Sequence, residues 1–107
     1  MARGEYLGEF EQIVLLAAAR LENESYGMAI RREIEARTGR QVSIGAVYAT
    51  LDRLEIKGLV RPREAQSDGR ARRFFAVTAA GLDALEASRD LHTRMWAGLK
   101  LRRAGRR

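Results

Sequence analysis

A mainly α-helical fold with one small β-hairpin is predicted by three observations between Ser43 and Thr78. Ser43 suits a helix N-cap, and Ile44, Val47, Tyr48, Leu51 and Leu54 then recur at helical spacing. Gly58 stops that helix, and Leu59-Val60 leaves it as an extended apolar pair. A turn at Ser67-Asp68-Gly69 then sends the chain back through Arg70, Arg72 and Arg73 into Phe74-Phe75-Ala76-Val77. A helix joined to an arginine-tipped hairpin is the layout of a winged helix-turn-helix. In that layout one helix enters a major groove and the hairpin lies beside the phosphates.

Two helices are expected before this run. The first spans about Gly8 to Leu21, with Phe10, Ile13, Val14, Ala17, Ala18 and Leu21 as its buried stripe. Asn23-Glu24-Ser25 forms a polar break. The second spans about Tyr26 to Thr38, buries Ile30 and Ile34, and turns Arg31, Arg32, Glu33 and Glu35 outward. Arg40-Gln41-Val42 is the turn into the third helix.

That third helix carries the sequence-reading hypothesis. With Val47, Leu51 and Leu54 facing the core, Gly45, Ala46, Ala49, Thr50 and Arg53 are expected on or near the other side. Small residues at 45, 46 and 49 let a helix backbone approach base edges, although they suit plain helix packing too. Arg53 has the chemistry to meet a guanine or a phosphate, and Thr50 a thymine methyl or a phosphate. Ser43 can serve both as N-cap and as a phosphate contact at a helix N-terminus.

A fourth helix is predicted from Thr78 to about Leu101, with Leu82, Leu85, Leu91, Met95, Trp96 and Leu99 as a broad apolar band. Burying each of its large side chains gains roughly 1.5 to 3 kcal/mol, so a second copy of the chain is expected to cover it. Two-fold symmetry then presents two wings to a pseudo-palindromic operator. The organisation expected is a DNA-binding unit over 1–77 and a dimerisation helix with a basic tail over 78–107.

Composition bounds the alternatives. A chain of 107 residues, 46% hydrophobic and 32% charged, reads as one soluble domain. No apolar run approaches membrane-spanning length, and the N-terminal residues lead into no signal-peptide core, so a cytoplasmic protein is expected. Without cysteine there is no disulfide, thiol nucleophile or cysteine metal site. The net charge of +6 points to a polyanionic partner. Five arginines between 61 and 73 stand against Glu64 and Asp68. Lys100, Arg102, Arg103, Arg106 and Arg107 follow near the C-terminus without an acid among them.

The sequence resembles the PadR family of transcriptional regulators. The likeness is carried by Tyr26-Gly27 opening a helix, by Val47 through Glu55 with Gly58-Leu59-Val60, and by Arg72 through Phe75 running into Val77-Thr78-Ala79-Ala80-Gly81. At Ala80 the chain departs from the pattern, which commonly carries proline before the glycine. The resemblance implies that Tyr48 contacts the DNA backbone, that the first and last helices form the dimer, and that the regulator represses. Expected DNA contacts are thus Tyr26, Ser43, Ala46, Tyr48, Ala49, Thr50, Arg53, Arg70, Arg72 and Arg73. The expected interface is Leu82, Leu85, Leu91, His92, Met95, Trp96 and Leu99. Some short members of the resembled family bind small planar effectors there, and paired Trp96 indoles would suit one.

Enzyme activity has little support. His92 is a lone histidine, Asp83, Glu86 and Asp90 read as a solvated face, and Ser67 to Arg70 is too short for a phosphate-cradling loop. Neither metal nor cofactor is expected. The reading is a dimeric, sequence-specific DNA-binding regulator of its own or neighbouring genes. The alternative is a winged-helix module whose basic surface binds an acidic protein or RNA, and sequence-specific, salt-dependent DNA binding separates the two.

Overall fold

The structure, a computed structural model, describes residues 6–103. Its elements run α1 (Glu9–Leu21), a 3-10 turn (Glu22–Glu24), α2 (Gly27–Thr38), α3 (Ile44–Ile56), β1 (Val60–Ser67), β2 (Arg70–Val77) and α4 (Ala79–Trp96). The expected class, a mainly helical winged helix-turn-helix with one hairpin, is what forms.

Local chemistry sets the boundaries. Gly39 takes a left-handed φ of 74° at the end of α2 and donates its N–H to Glu35 O, a conformation that costs glycine little. Ser43 Oγ accepts from the Ala46 N–H at 3.0 Å, capping α3. Thr78 Oγ1 accepts from the Gly81 N–H at 3.0 Å and donates to Gly58 O at 2.8 Å. One threonine therefore caps α4 and ties it to the exit of α3. In the hairpin, Val60 pairs with Val77 and the register runs out to Ser67 opposite Arg70. Asp68 and Gly69 both have positive φ, 54° and 73°, as a two-residue turn matched to strand twist requires.

The core lies around α1, which packs on α2, α3, α4 and β2. Val14, Leu15, Ile30, Ile34, Val47, Leu51, Leu54, Phe75 and Ala84 are among its buried members. The hairpin base is fastened to this core by Ser25, whose hydroxyl donates to Phe75 O and whose carbonyl accepts from the Phe75 N–H at 2.9 Å. Arg31 and Glu35 do more than face outward. Arg31 Nε donates to Val42 O at 3.0 Å, and Glu35 Oε2 accepts from the Val42 N–H at 3.1 Å. Both backbone groups of the residue before the α3 cap are held from α2, which fixes how α3 leaves the turn.

The structure corrects several expectations. Leu15 is fully buried although it lies outside the expected stripe, because α1 is covered on more than one side. The last helix ends at Trp96, not Leu101: Ala97 leaves helical geometry with ψ 126°, and Gly98 has φ 75°. Leu85 is partly buried against the core of its own chain. Arg106 and Arg107 of the basic tail lie outside the described residues.

Candidate nucleic-acid interface

The site forms where α2, α3 and the wing meet. Tyr26, the N-cap of α2, pairs across an isolated antiparallel bridge with Phe74 of β2, and their rings meet edge to face at 5.6 Å. The bridge pins the wing to the start of α2. Arg72 lays its guanidinium over the Tyr26 ring, 4.2 Å from its centroid. Arg32 reaches the same ring from α2, its Nη2 donating to the Tyr26 hydroxyl at 2.9 Å. Tyr26, Arg32, Tyr48, Arg70, Arg72 and Arg73 line one open concavity of about 470 Å³.

Tyr48 projects from α3 into this concavity and is 42% exposed. Its ring lies against the backbone of Gly27, where a side chain would collide with it. Ser43, Gly45, Ala46 and Ala49 are exposed along α3, giving the small-residue face that close approach to a base edge requires.

Two expected contacts sit elsewhere. Thr50 is completely buried, and its hydroxyl accepts from Arg53 Nη2 at 3.1 Å. Its spacing explains this: it lies three residues after Val47 and four before Leu54, on the core face. Arg53 is exposed but drawn toward α1, with Nε 3.7 Å from Glu11 Oε2. The wing arginines also divide. Strand alternation sets Arg72 beside Tyr26 on one side, while Arg73 reaches Glu55 of α3 at 3.3 Å and lies over the Phe75 ring.

Glu11 organises the back of α3. It accepts from Lys57 Nζ at 3.0 and 3.1 Å and from the Gly8 N–H at 3.0 Å. Burial pushes its carboxyl up, but the Gly8 N–H, the Lys57 ammonium and the Arg53 guanidinium outweigh this and hold it below the ordinary value. Nothing in the sequence marks it, because an acid at a buried helical position is indistinguishable from a solvated one until its partners are known. Arg32 likewise shows in the sequence only as an outward-facing charge.

The expected interface residues are mostly open to solvent. Leu82, Met95, Trp96 and Leu99 are exposed, Met95 by 73% and Trp96 by 57%, and His92 is exposed while Leu91 is half-buried. Among the described residues no cluster of acids and histidine suits a metal ion, and no helix is long and apolar enough to cross a membrane.

A helix-turn-helix with an arginine-bearing hairpin beside its exposed third helix defines a winged-helix protein. The chain belongs to the Transcriptional regulator PadR-like family, whose sequence pattern matches residues 15–87. It is 43% identical over 68 residues to the transcriptional regulator Rv3488 of Mycobacterium tuberculosis, an alignment covering 64% of this chain and 63% of that protein. The structure is similar to RosR of H. salinarum, with a TM-score of 0.69 and 30% identity over 94% of this chain and 84% of that one. It is also similar to a PadR family transcription regulator from Clostridium difficile R20291, with a TM-score of 0.65 and 29% identity over 78% of this chain and 88% of that one.

Proposed function

We propose that this chain is a dimeric DNA-binding transcriptional regulator that represses its own or neighbouring genes from a pseudo-palindromic operator. One observation carries the DNA-binding reading. Arg70 and Arg72 of the wing converge with Tyr26 and Tyr48 on a single concavity beside the small-residue face of α3. Neither arginine forms an ion pair with an acid among the described residues, so their charge remains available to phosphate. The exposed Met95, Trp96 and Leu99 support pairing of two α4 ends, with the mostly exposed Leu82, His92 and half-buried Leu91 along the same helix. Trp96 and its symmetry mate are the proposed place for a planar effector, acting by favouring one spacing of the two α3 helices. A dimer seated on an operator represses by excluding polymerase from the same DNA.

Base contacts are assigned to the exposed α3 residues Ala46 and Ala49, and phosphate contacts to Ser43, Tyr48, Arg70 and Arg72. Arg73 and Arg53 contribute once they exchange their carboxylate partners for phosphate. Alanine at Arg70 and Arg72 together should weaken binding to every duplex and flatten its salt dependence by about 0.9 for each phosphate no longer neutralised. Undiminished binding by that variant at moderate salt would reject the wing assignment.

A further inference from the structure

We propose that Arg32 of α2 and Arg72 of β2 grip one and the same DNA phosphate, with Tyr26 between them setting their separation. The inference rests on the DNA-binding reading and adds a residue and a stoichiometry to it. α2 carries three arginines, and two are satisfied within the chain: Arg31 pairs with Glu35 and Arg37 with Glu33. Arg32 is held instead by a neutral group, the Tyr26 hydroxyl, at 2.9 Å. Its guanidinium carbon lies 5.9 Å from the Tyr26 ring centroid, and that of Arg72 lies 4.2 Å from it.

Two guanidinium groups thus gather around one ring with no acid paired to either among the described residues. Such like charges repel until an anion enters between them. The ring itself is fixed by the edge of Phe74 and by the Tyr26–Phe74 bridge, so the separation of the two forks is built in. The first N–H groups of α2, from Gly27 to Ala29, have no acceptor within the helix, so the favourable end of the helix dipole lies beside Tyr26. Planar forks with a shared tetrahedral anion are the geometry that arginine supplies and lysine does not.

The test measures binding of a short mixed-sequence duplex across a chloride series for wild type, Arg32→Ala, Arg72→Ala and the double variant. Arg37→Ala serves as the control for simple loss of one α2 charge, and thermal unfolding confirms that each variant is folded. A shared phosphate predicts that the double variant loses about 0.9 of salt slope, one phosphate's worth, with both single variants weakened and lying between. Loss of about twice that value, or Arg32→Ala binding like wild type, overturns the proposal and leaves the DNA-binding reading standing. In a second arm, inorganic phosphate is titrated against the free protein at constant ionic strength while the Arg32 and Arg72 Nε–H resonances are followed. Saturable shifts of both support the cradle even if the duplex fails to bind, an outcome that would instead remove the DNA-binding reading. Shifts of neither overturn the cradle.

Discussion

The ring of Tyr48 on α3 lies on the bare backbone of Gly27 at the start of α2. A Cβ placed on Gly27 would stand 2.5 Å from the Tyr48 hydroxyl oxygen and 2.7 Å from Cε1. The absence of a side chain at 27 therefore positions a tyrosine at 48, and with it one wall of the concavity beside the wing.

Gly27→Ala should displace that ring without unfolding the domain. The colliding atoms are the far end of a partly exposed side chain, which can swing into solvent. Chemical denaturation should show a loss of no more than about 1 kcal/mol. Duplex affinity should fall to that of Tyr48→Ala, and the double variant should be no weaker than either single one. A fall in affinity that adds across the two sites would sever the link between them.

Gly81→Ala should behave in the opposite way. Its Cβ would meet Leu59 O, a backbone atom that cannot rotate aside, and Val77 Cγ1 at 2.8 Å. The start of α4 would have to move off the α3 exit, at a cost of about 1 to 3 kcal/mol in denaturant unfolding. A stability equal to wild type would show that α4 is not seated on Leu59.

Glu11 gives the acid limb of stability a definite sign. Its folded pKa lies below its unfolded value of about 4.5, so its contribution is complete above that value and is lost as pH falls through the folded value. Glu11→Gln should cost about 1 to 3 kcal/mol near neutral pH through the charged hydrogen bonds with Lys57. The variant should also lose stability less steeply than wild type on acidification below pH 4.5. Parallel curves for the two proteins would contradict the assignment.

Much of the fold is legible in the sequence because its signals are local. Periodicity, the Ser43 cap and the Asp68-Gly69 turn place α1, α2, α3 and the hairpin to within a residue or so of where they lie. The rest depends on partners distant in sequence. Helix-face reasoning from Val47, Leu51 and Leu54 sets Thr50 on the outer side, whereas the structure buries it completely between Val47 and Leu54. Arg53 has the chemistry of a free base reader, but Glu11, far away in sequence, draws it toward α1. Ser25 looks like part of a polar break, yet it fastens the wing through Phe75. The concavity itself gathers Tyr26, Tyr48 and Arg72 from three separate elements, which no periodic pattern can announce.

Dimerisation should depend on side chains that the single chain leaves in water. Met95→Asp together with Trp96→Asp adds charges at exposed positions, 73% and 57% open. The monomer fold should keep its thermal midpoint, while the dimer is weakened by the cost of burying charge. Sedimentation should give a monomer with weakened operator binding. A variant that stays dimeric would move the interface away from the end of α4.

Sequence-specific DNA recognition by α3 and the wing is tested most directly by selecting bound sequences from a random duplex pool with the purified protein. The expected result is enrichment of an inverted repeat whose half-site centres lie about 34 to 36 Å apart, or a multiple of that spacing. The recovered duplex should lose affinity with rising salt and bind the Arg70→Ala/Arg72→Ala variant more weakly. A pool that remains random after repeated selection, together with equal binding by wild type and the wing variant, would contradict it.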